Sequence, residues 1–416
     1  MIFSPSRMGR LNKRALIRQL QKAGVSSRAD LARSLGMSQP TAGKIVEDLL
    51  ALKILEEVEM PATNGHGPVA GRMGRPGRQL QLNRSEARFL GIQLGLTETW
   101  LAELPIGVTD ADNWNASFQI PTAHRNPAKA WECQMRAAAR RLRSRNFLGV
   151  MLSVPGVVDE SANRILFSPN IHWSENVDLV AVIRKIWNAP VLLVQEECAL
   201  ALGHQVNHPE QEDFLLVDFG DGVGGAVIVG GKPLAHPLPI SGEIGHTPVL
   251  GNRRQCGCGA TGCMETLIST RGLMESFSAN RSGKNNSWAG LRADIGQNGI
   301  RPWLAQALDA AAVAIAGALN VLGLRRVVIT GSLTELPPAV LAHLAKSIQN
   351  GSMWAKFGSV ECISAPRRRF AGLVAIGIDR LVVPDTQNNG HAGPKIYRRP
   401  PATLKLKTKK YNQTRP

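Results

Sequence analysis

Three cysteines crowd eight residues of a glycine-rich stretch, Cys256-Gly257-Cys258-Gly259-Ala260-Thr261-Gly262-Cys263, and His246 stands ten residues before the first of them. A chain without secretory features seldom keeps disulfides, so soft thiolate ligands are the better reading, and with His246 they make a Cys3His set. Four protein ligands close a tetrahedron and leave no position for reactive water, so the expected metal is one structural zinc per chain. Three unligated buried thiols would be the alternative, a reading that suits the isolated Cys133, Cys198 and Cys362 better. Flanking the cluster, Ser241-Gly242-Glu243-Ile244-Gly245-His246 and Met264-Glu265 add carboxylates and an imidazole beside the same loop. Such groups accept or donate in fixed directions and suit a polyhydroxylated ligand, although any one of them could serve a structural hydrogen bond, and His246 the metal alone.

Such groups must be positioned by regular elements, and beyond residue 83 short apolar runs alternate with helical stretches. Phe147 to Ser153, Val191 to Val194 and Val327 to Thr330 read as buried strands, and Asp178 to Trp187 and Leu304 to Leu322 as helices. This alternation predicts an α/β architecture. Leu215-Leu216-Val217-Asp218-Phe219 reads as a strand that passes through Gly220-Asp221-Gly222-Val223-Gly224-Gly225 into a second, Ala226 to Val229. Glycines at that density serve either close approach to a ligand or a tight hairpin.

The front of the chain has a different pattern. Leu11, Ala15, Leu16 and Leu20 fall at helical spacing and Ala23-Gly24 ends the run; Ser27-x-x-Asp30 then opens a short helix by a capping pattern. Gly36 supplies a turn, and Ser38 caps a third helix whose inward positions are Ala42, Ile45, Leu49 and Leu52. Helix, short helix, tight turn, helix is the spacing of a helix-turn-helix, with a generic helical bundle as the alternative. Arg28, Ser38, Gln39, Thr41 and Lys44 lie where such a module meets the major groove, which favours double-stranded DNA as the partner. A strand at Ile54 to Val58, a Gly/Pro/Arg-rich stretch and a second strand at Leu80 to Leu82 would complete a wing. Arg75 and Arg78 in that stretch suit either a minor-groove arm or a solvated linker.

Charge follows the same division. Residues 1–82 hold 13 Lys/Arg against 6 Asp/Glu, residues 386–416 hold 8 against none, and the 303 residues between hold 28 against 26. A polyanionic partner is therefore expected for the ends alone, and for the tail solubility is a rival reason. With 44% hydrophobic and 19% charged residues among 416, the chain is expected to fold into two or three domains rather than remain disordered. No uninterrupted apolar run reaches about 18 residues, and the opening Met1 to Arg7 has no signal-peptide core, so a cytoplasmic protein is expected, with no membrane partner.

The sequence Gly242-Glu243-x-Gly245-His246 followed by Cys256-x-Cys258-Gly259-x-x-Gly262-Cys263-x-Glu265 resembles the hallmark of the ROK family of repressors, open reading frames and kinases. Ser153 to Asp159 and Ser168-Pro169-Asn170-Ile171-His172-Trp173 resemble further family segments in the right order, so the resemblance covers most of residues 11–383. It implies a two-lobed, ribonuclease H-like (actin/sugar-kinase-like) domain over 83–385 preceded by a winged helix-turn-helix with its linker over 1–82; the basic tail over 386–416 extends past the resemblance and by its composition is expected to be disordered. It also implies that Asn170, Glu243, His246 and Glu265 face a sugar. Two departures stand out against the family's kinases. Gln93 and Leu96 in Gly91-Ile92-Gln93-Leu94-Gly95-Leu96-Thr97-Glu98 replace the carboxylate and a glycine of the ATP-phosphate loop, and Gln195-Glu196 stands where an asparagine and the catalytic aspartate are expected. The extra methylene of Glu196 displaces a base by more than about an ångström, which catalysis tolerates poorly but sugar binding permits. The resulting expectation is a non-catalytic, homodimeric (or dimer-of-dimers) DNA-binding transcriptional regulator, a repressor of carbohydrate metabolism or transport genes, controlled by a sugar or sugar-phosphate effector bound in the kinase-like cleft. An active sugar kinase and a constitutive DNA-binding or protein-binding scaffold remain as rivals.

Overall fold

A computed structural model describes residues 5–58, 78–107, 117–122, 127–142, 146–160, 162–234, 242–280 and 286–384. Arg75 and the whole basic tail lie outside the described residues.

Helix α1 (Pro5–Ala23) ends at Gly24, whose φ of 76° only glycine adopts easily. A short strand β1 (Val25–Ser27), unforeseen in the sequence, leads into α2 (Arg28–Ser34), where Ser27 Oγ accepts from the Asp30 amide at 3.1 Å as the S-x-x-D pattern predicts. The Gly36 turn closes by two bonds, Met37 N–H to Ala32 O at 2.9 Å and Gly36 N–H to Arg33 O at 3.3 Å, with Gly36 at φ 61°. This is a Schellman closure, which needs the glycine. Ser38 caps α3 (Gln39–Ala51), whose buried face is Ala42, Ile45, Val46 and Leu49. Leu52, expected inward, is 56% exposed because the helix ends at Ala51, and Val46, not foreseen, is buried instead. Strands β2 (Leu55–Val58) and β3 (Gln79–Leu82) join β1 in an antiparallel sheet of order β1-β3-β2.

Two further sheets repeat one topology. The first lobe contains β4 (Arg88–Leu94), β5 (Glu98–Pro105), β6 (Ser117–Pro121), α4 (Pro127–Arg141), β7 (Val150–Val154), the hairpin β8 (Val157–Asp159) and β9 (Arg164–Phe167), α5 (Leu179–Ile186) and β10 (Val191–Gln195). Its main sheet runs β10-β7-β4-β5-β6, parallel across the first three strands and antiparallel across the rest. Helix α6 (Glu196–Asn207) crosses to the second lobe: β11 (Phe214–Phe219), β12 (Val223–Val229), β13 (Lys232–Pro233), α7 (Glu265–Ile268), α8 (Thr270–Ala279), α9 (Trp288–Asn298), α10 (Pro302–Leu322), β14 (Arg326–Gly331), α11 (Pro338–Gly351) and β15 (Glu361–Ser364). Its sheet, β13-β12-β11-β14-β15, has the same order by position and the same mixture of directions.

Helix α12 (Arg369–Gly377) then returns to the first lobe, where Phe370 packs beside Gly91 of β4 and Gly377 beside the ring of Phe89. Helices α6 and α12 cross so closely that a Cβ on Gly203 would lie 1.8 Å from Arg368 O and one on Gly372 would lie 1.7 Å from Ala199 O. Each lobe's last helix thus packs on the other lobe, and the crossing joins them. The core of the N-terminal module is continuous with this one: Leu16, Leu80 and Leu82 belong to the same buried cluster as Phe89, Ile106 and Phe370.

By length and composition α10 could cross a membrane, a point the run-length count missed because isolated polar residues interrupt the helix. Its Leu304, Leu308, Ala311, Ile315 and Leu319 are buried in the second lobe's core, the ordinary use of such a helix.

Candidate effector cleft and metal loop

The hairpin turns of the two sheets, Gly95–Thr97 and Gly220–Gly222, face one cleft of ≈ 270 Å³ between the lobes. All five predicted sugar-facing residues, Asn170, Glu196, Glu243, His246 and Glu265, line it. Asn170 follows the first lobe's β8–β9 hairpin and leans on second-lobe glycines: a Cβ on Gly222 would be 3.2 Å from its Nδ2, and one on Gly257 3.3 Å from its Oδ1. Glu265, at the start of α7 and 3% exposed, accepts from the Val223 amide at 2.8 Å and so pins the Gly-rich hairpin with one of its oxygens. Burial, then the neighbouring Glu265 charge, lifts the Glu243 carboxyl to about 7.

The metal loop is a small bridged turn. Gln255 pairs with Thr261 and Pro248 with Cys263, and Gly259 and Gly262 both sit at φ 90° where a side chain would be strained. Arg254 staples it to the helices behind, donating to Thr266 O at 2.7 Å and to Ser276 Oγ at 2.8 Å. The ligand atoms of His246, Cys256, Cys258 and Cys263 lie within 4.8 Å of one another, with Cys256 Sγ 3.5 Å from His246 Nδ1 and Cys258 Sγ 3.6 Å from Cys263 Sγ. A tetrahedral Zn–S length of about 2.3 Å separates two sulfurs by about 3.8 Å, so the donor set fits a metal of that size. His246 Nε2 meanwhile points to Glu243, 3.5 Å away. The two ring nitrogens of His246 thus lie toward different groups, Nδ1 toward the cysteines and Nε2 toward Glu243 in the cleft. His172 lies with its Nε2 3.1 Å from Gly257 O and its Nδ1 2.8 Å from Glu175, so the Cys/His loop touches the first lobe.

At the other pole, Gln93 Nε2 donates to Glu196 Oε1, and Arg369 Nη2 reaches the same oxygen at 3.1 Å. Glu196 is raised above the usual carboxylate range, burial outweighing the opposing charge of Arg369. Glu197 fills the space left by Gly224, and burial followed by the charge of Glu196 raises its carboxyl far more. Arg367 forms a fork on Asp218, Nε to Oδ1 at 2.7 Å and Nη2 to Oδ2 at 2.8 Å. Glu197, Asp218, Asp221, Arg367 and Arg369 line the cleft and were not singled out in the sequence. The run Arg367-Arg368-Arg369 between an apolar strand and an apolar helix was the available signal.

On the N-terminal module, Ser38, Gln39, Thr41 and Lys44 are exposed at the start of α3. Ser38 Oγ already caps the helix, 3.3 Å from the Thr41 amide and 2.8 Å from Thr41 Oγ1, so these two hydroxyls have structural work as well. Arg28 and Arg78 both pair with Glu57 of β2.

A model of the ROK family matches residues 90–376. The xylose repressor of Caldicellulosiruptor bescii is 23% identical over 280 residues, a match covering 64% of this chain and 65% of that protein, so the chain spans just under two thirds of that relative's length. Among solved structures, a ROK family transcriptional regulator, homolog of the E. coli MLC protein, superposes with a TM-score of 0.70 at 18% identity, covering 89% of this chain and 96% of that one. A ROK family glucokinase from Streptomyces griseus, in complex with glucose and AMPPNP, gives 0.57 at 21% identity over 70% of this chain and 98% of its own. The family model spans more than half of the chain, and the repeated sheets and bridged Cys/His loop are the features it carries here: the chain belongs to the ROK family.

Proposed function

We propose that this protein is a sugar-responsive transcriptional repressor: a DNA-binding homodimer whose affinity for its operator changes when a sugar occupies the interlobe cleft. The observation that carries the non-catalytic part is the contact of Gln93 with Glu196, shared with Arg369. At the position expected of a general base, one carboxylate oxygen, Oε1, is already engaged by an amide and a guanidinium, which opposes its taking a proton from a substrate hydroxyl. The relatives named xylose repressors support the regulatory part.

In this reading residues 1–82 are a winged helix-turn-helix, α3 enters the major groove with Gln39 and Lys44, and Arg28 and Arg78 exchange Glu57 for phosphates. The metal is one structural zinc, held by His246, Cys256, Cys258 and Cys263, that fixes the imidazole and Glu265 in place for the sugar. Nothing in the role requires a membrane, and the site of action is the cytoplasmic DNA. Lobe closure about the α6–α12 crossing would move α12, whose far end meets α1 through Asp379 and Arg14, and a dimer reading a palindrome converts such a tilt into altered half-site spacing.

Footprinting the full chain on DNA fragments selected from a genomic library, with and without a monosaccharide panel, tests the proposal. Protection that changes with one sugar is expected; absence of protection at every salt concentration sinks it. Phosphorylation of a hexose from ATP would instead establish the kinase reading, and sugar-independent protection the scaffold reading.

A further inference from the structure

Within the reading of the cleft as a sugar site, we propose that it takes a neutral, unphosphorylated monosaccharide without nucleotide, and that Arg367 is the residue that closes the pole where phosphate would sit.

A phosphate needs room, free amide hydrogens and a favourable field, and all three are withdrawn here. The guanidinium of Arg367 is wedged between the two glycine backbones nearest that pole: a Cβ on Gly220 would lie 2.5 Å from its Nη2, and one on Gly331 2.7 Å. Thr330 Oγ1 donates to Asp218 Oδ1 at 2.7 Å and completes the lock. Three of the hairpin amides are spent, with Gly220 N–H on Gly222 O at 2.8 Å, Val223 N–H on Glu265 at 2.8 Å and Gly225 N–H on Gly242 O at 2.8 Å. The opposing turn is also self-closed, Gly95 N–H bonding Glu98 O at 3.0 Å.

Charge points the same way. Arg367 and Arg369 are each matched by a carboxylate, Asp218 and Glu196. Beyond Glu197 and Glu243, whose protons burial helps to retain, the cleft wall still carries Glu98, Asp221 and Glu265, with no further lysine or arginine among the described lining residues. A dianionic phosphate ester would face that excess at short range in a partly desolvated site. A hydroxyl, in contrast, finds acceptors waiting. Gln93, 5% exposed, has its Oε1 without a partner among the described residues, and so has Glu197 Oε2.

The test is thermal shift and calorimetry on the full metal-loaded chain with D-xylose, D-glucose and N-acetyl-D-glucosamine, their phosphate esters, and Mg·AMPPNP. The expected result is stabilisation by at least one neutral sugar, an ester at least about tenfold weaker, and no response to Mg·AMPPNP. An ester that binds more tightly than its parent sugar, or binding of Mg·AMPPNP to the wild type, overturns the proposal while leaving a sugar cleft in place. No response to any probe overturns the proposal and the sugar-responsive reading together. The variant R367Q/D218N removes both charges together, so that no buried charge is stranded. It should narrow the preference for the neutral sugar by about tenfold, and an unchanged preference in a folded variant shows that Arg367 does not close the pole.

Discussion

A single methylene and a single missing methyl decide much of the cleft's chemistry. Glu197 lies against Gly224, where a Cβ would be 2.3 Å from its Oε1, so the carboxyl occupies space that any other residue at 224 would claim. Burial raises its pKa well above the ordinary carboxylate value, and the sign of the consequence is fixed. Between the unfolded and folded pKa the native state holds the extra proton, so stability falls as pH rises through that window and has lost the full amount above it. Glu197→Gln, neutral at every pH, should therefore raise Tm relative to wild type by about 2 °C or more at pH 8 and change it little at pH 5; a variant less stable at both shows that the carboxylate is needed ionised. The metal ligands behave oppositely. Without metal, burial and then the neighbouring Cys258 and Cys256 hold the Cys263 thiol up at about 12, so loading must expel protons. Chelation, or Cys258→Ser, should bring metal content from one per chain to none, lower Tm by several degrees, and weaken sugar binding by about tenfold through His246 and Glu265. Sugar affinity that survives metal loss unchanged would show that the loop does not position them. That these four side chains would come together was legible in their spacing, and the fold does group them. Arg367 was not: its importance comes from Asp218, 149 positions earlier, and no local pattern announces that pairing.

At the scale of elements, what the sequence announced was every feature encoded within a turn or two of its own chain. The capping serines at 27 and 38, the Gly36 turn and the strands at 150, 191, 215 and 327 are each settled by near neighbours, and each is present. Unannounced were β1, three residues that pair only because β3 returns beside them, and the α6–α12 crossing, which depends on two glycines 169 positions apart, Gly203 and Gly372. Neither glycine has positive φ, so backbone freedom is not their purpose; the contact distance is. Gly372→Ala forces a methyl into Ala199 O and should destabilise the protein by about 3 kcal/mol or more in urea unfolding, separating the lobes' helices. Gly317, on the exposed side of α10 with nothing within 4 Å of a built Cβ, is the control. There the same substitution should stabilise by about 0.5–1 kcal/mol. Equal costs at the two positions would mean that the close crossing is not a determinant of the fold.

For the whole molecule, the net charge of +17 divides into parts with different jobs. If α3 is the groove helix, Lys44→Ala should weaken DNA binding alike on all sequences and reduce the slope of log K against log salt by about 1, whereas Gln39→Ala should lower sequence preference with the slope unchanged. Regulation demands more, since two sites must share a two-state element. One helix has contacts at both ends: Arg369 at the start of α12 holds Glu196 in the cleft, and after Gly377 the π-helical turn Ile378–Val382 brings Asp379 to Arg14 of α1. Arg10 Nη1, one helical turn earlier on α1, bonds Pro384 O at 3.3 Å. A tilt of α12 on sugar binding thus has a direct path to the N-terminal module. Asp379→Asn weakens that path without touching either surface. Both intrinsic affinities, sugar without DNA and DNA without sugar, should stay within about threefold of wild type, while the sugar-induced change in DNA affinity, expected at about 5- to 150-fold for the intact chain, should shrink toward unity. Reciprocity supplies the internal check: the effect of operator DNA on sugar affinity must shrink by the same factor. Full coupling in Asp379→Asn would place the transmission elsewhere, in the continuous apolar core that Leu82, Phe89 and Ile106 form between module and first lobe.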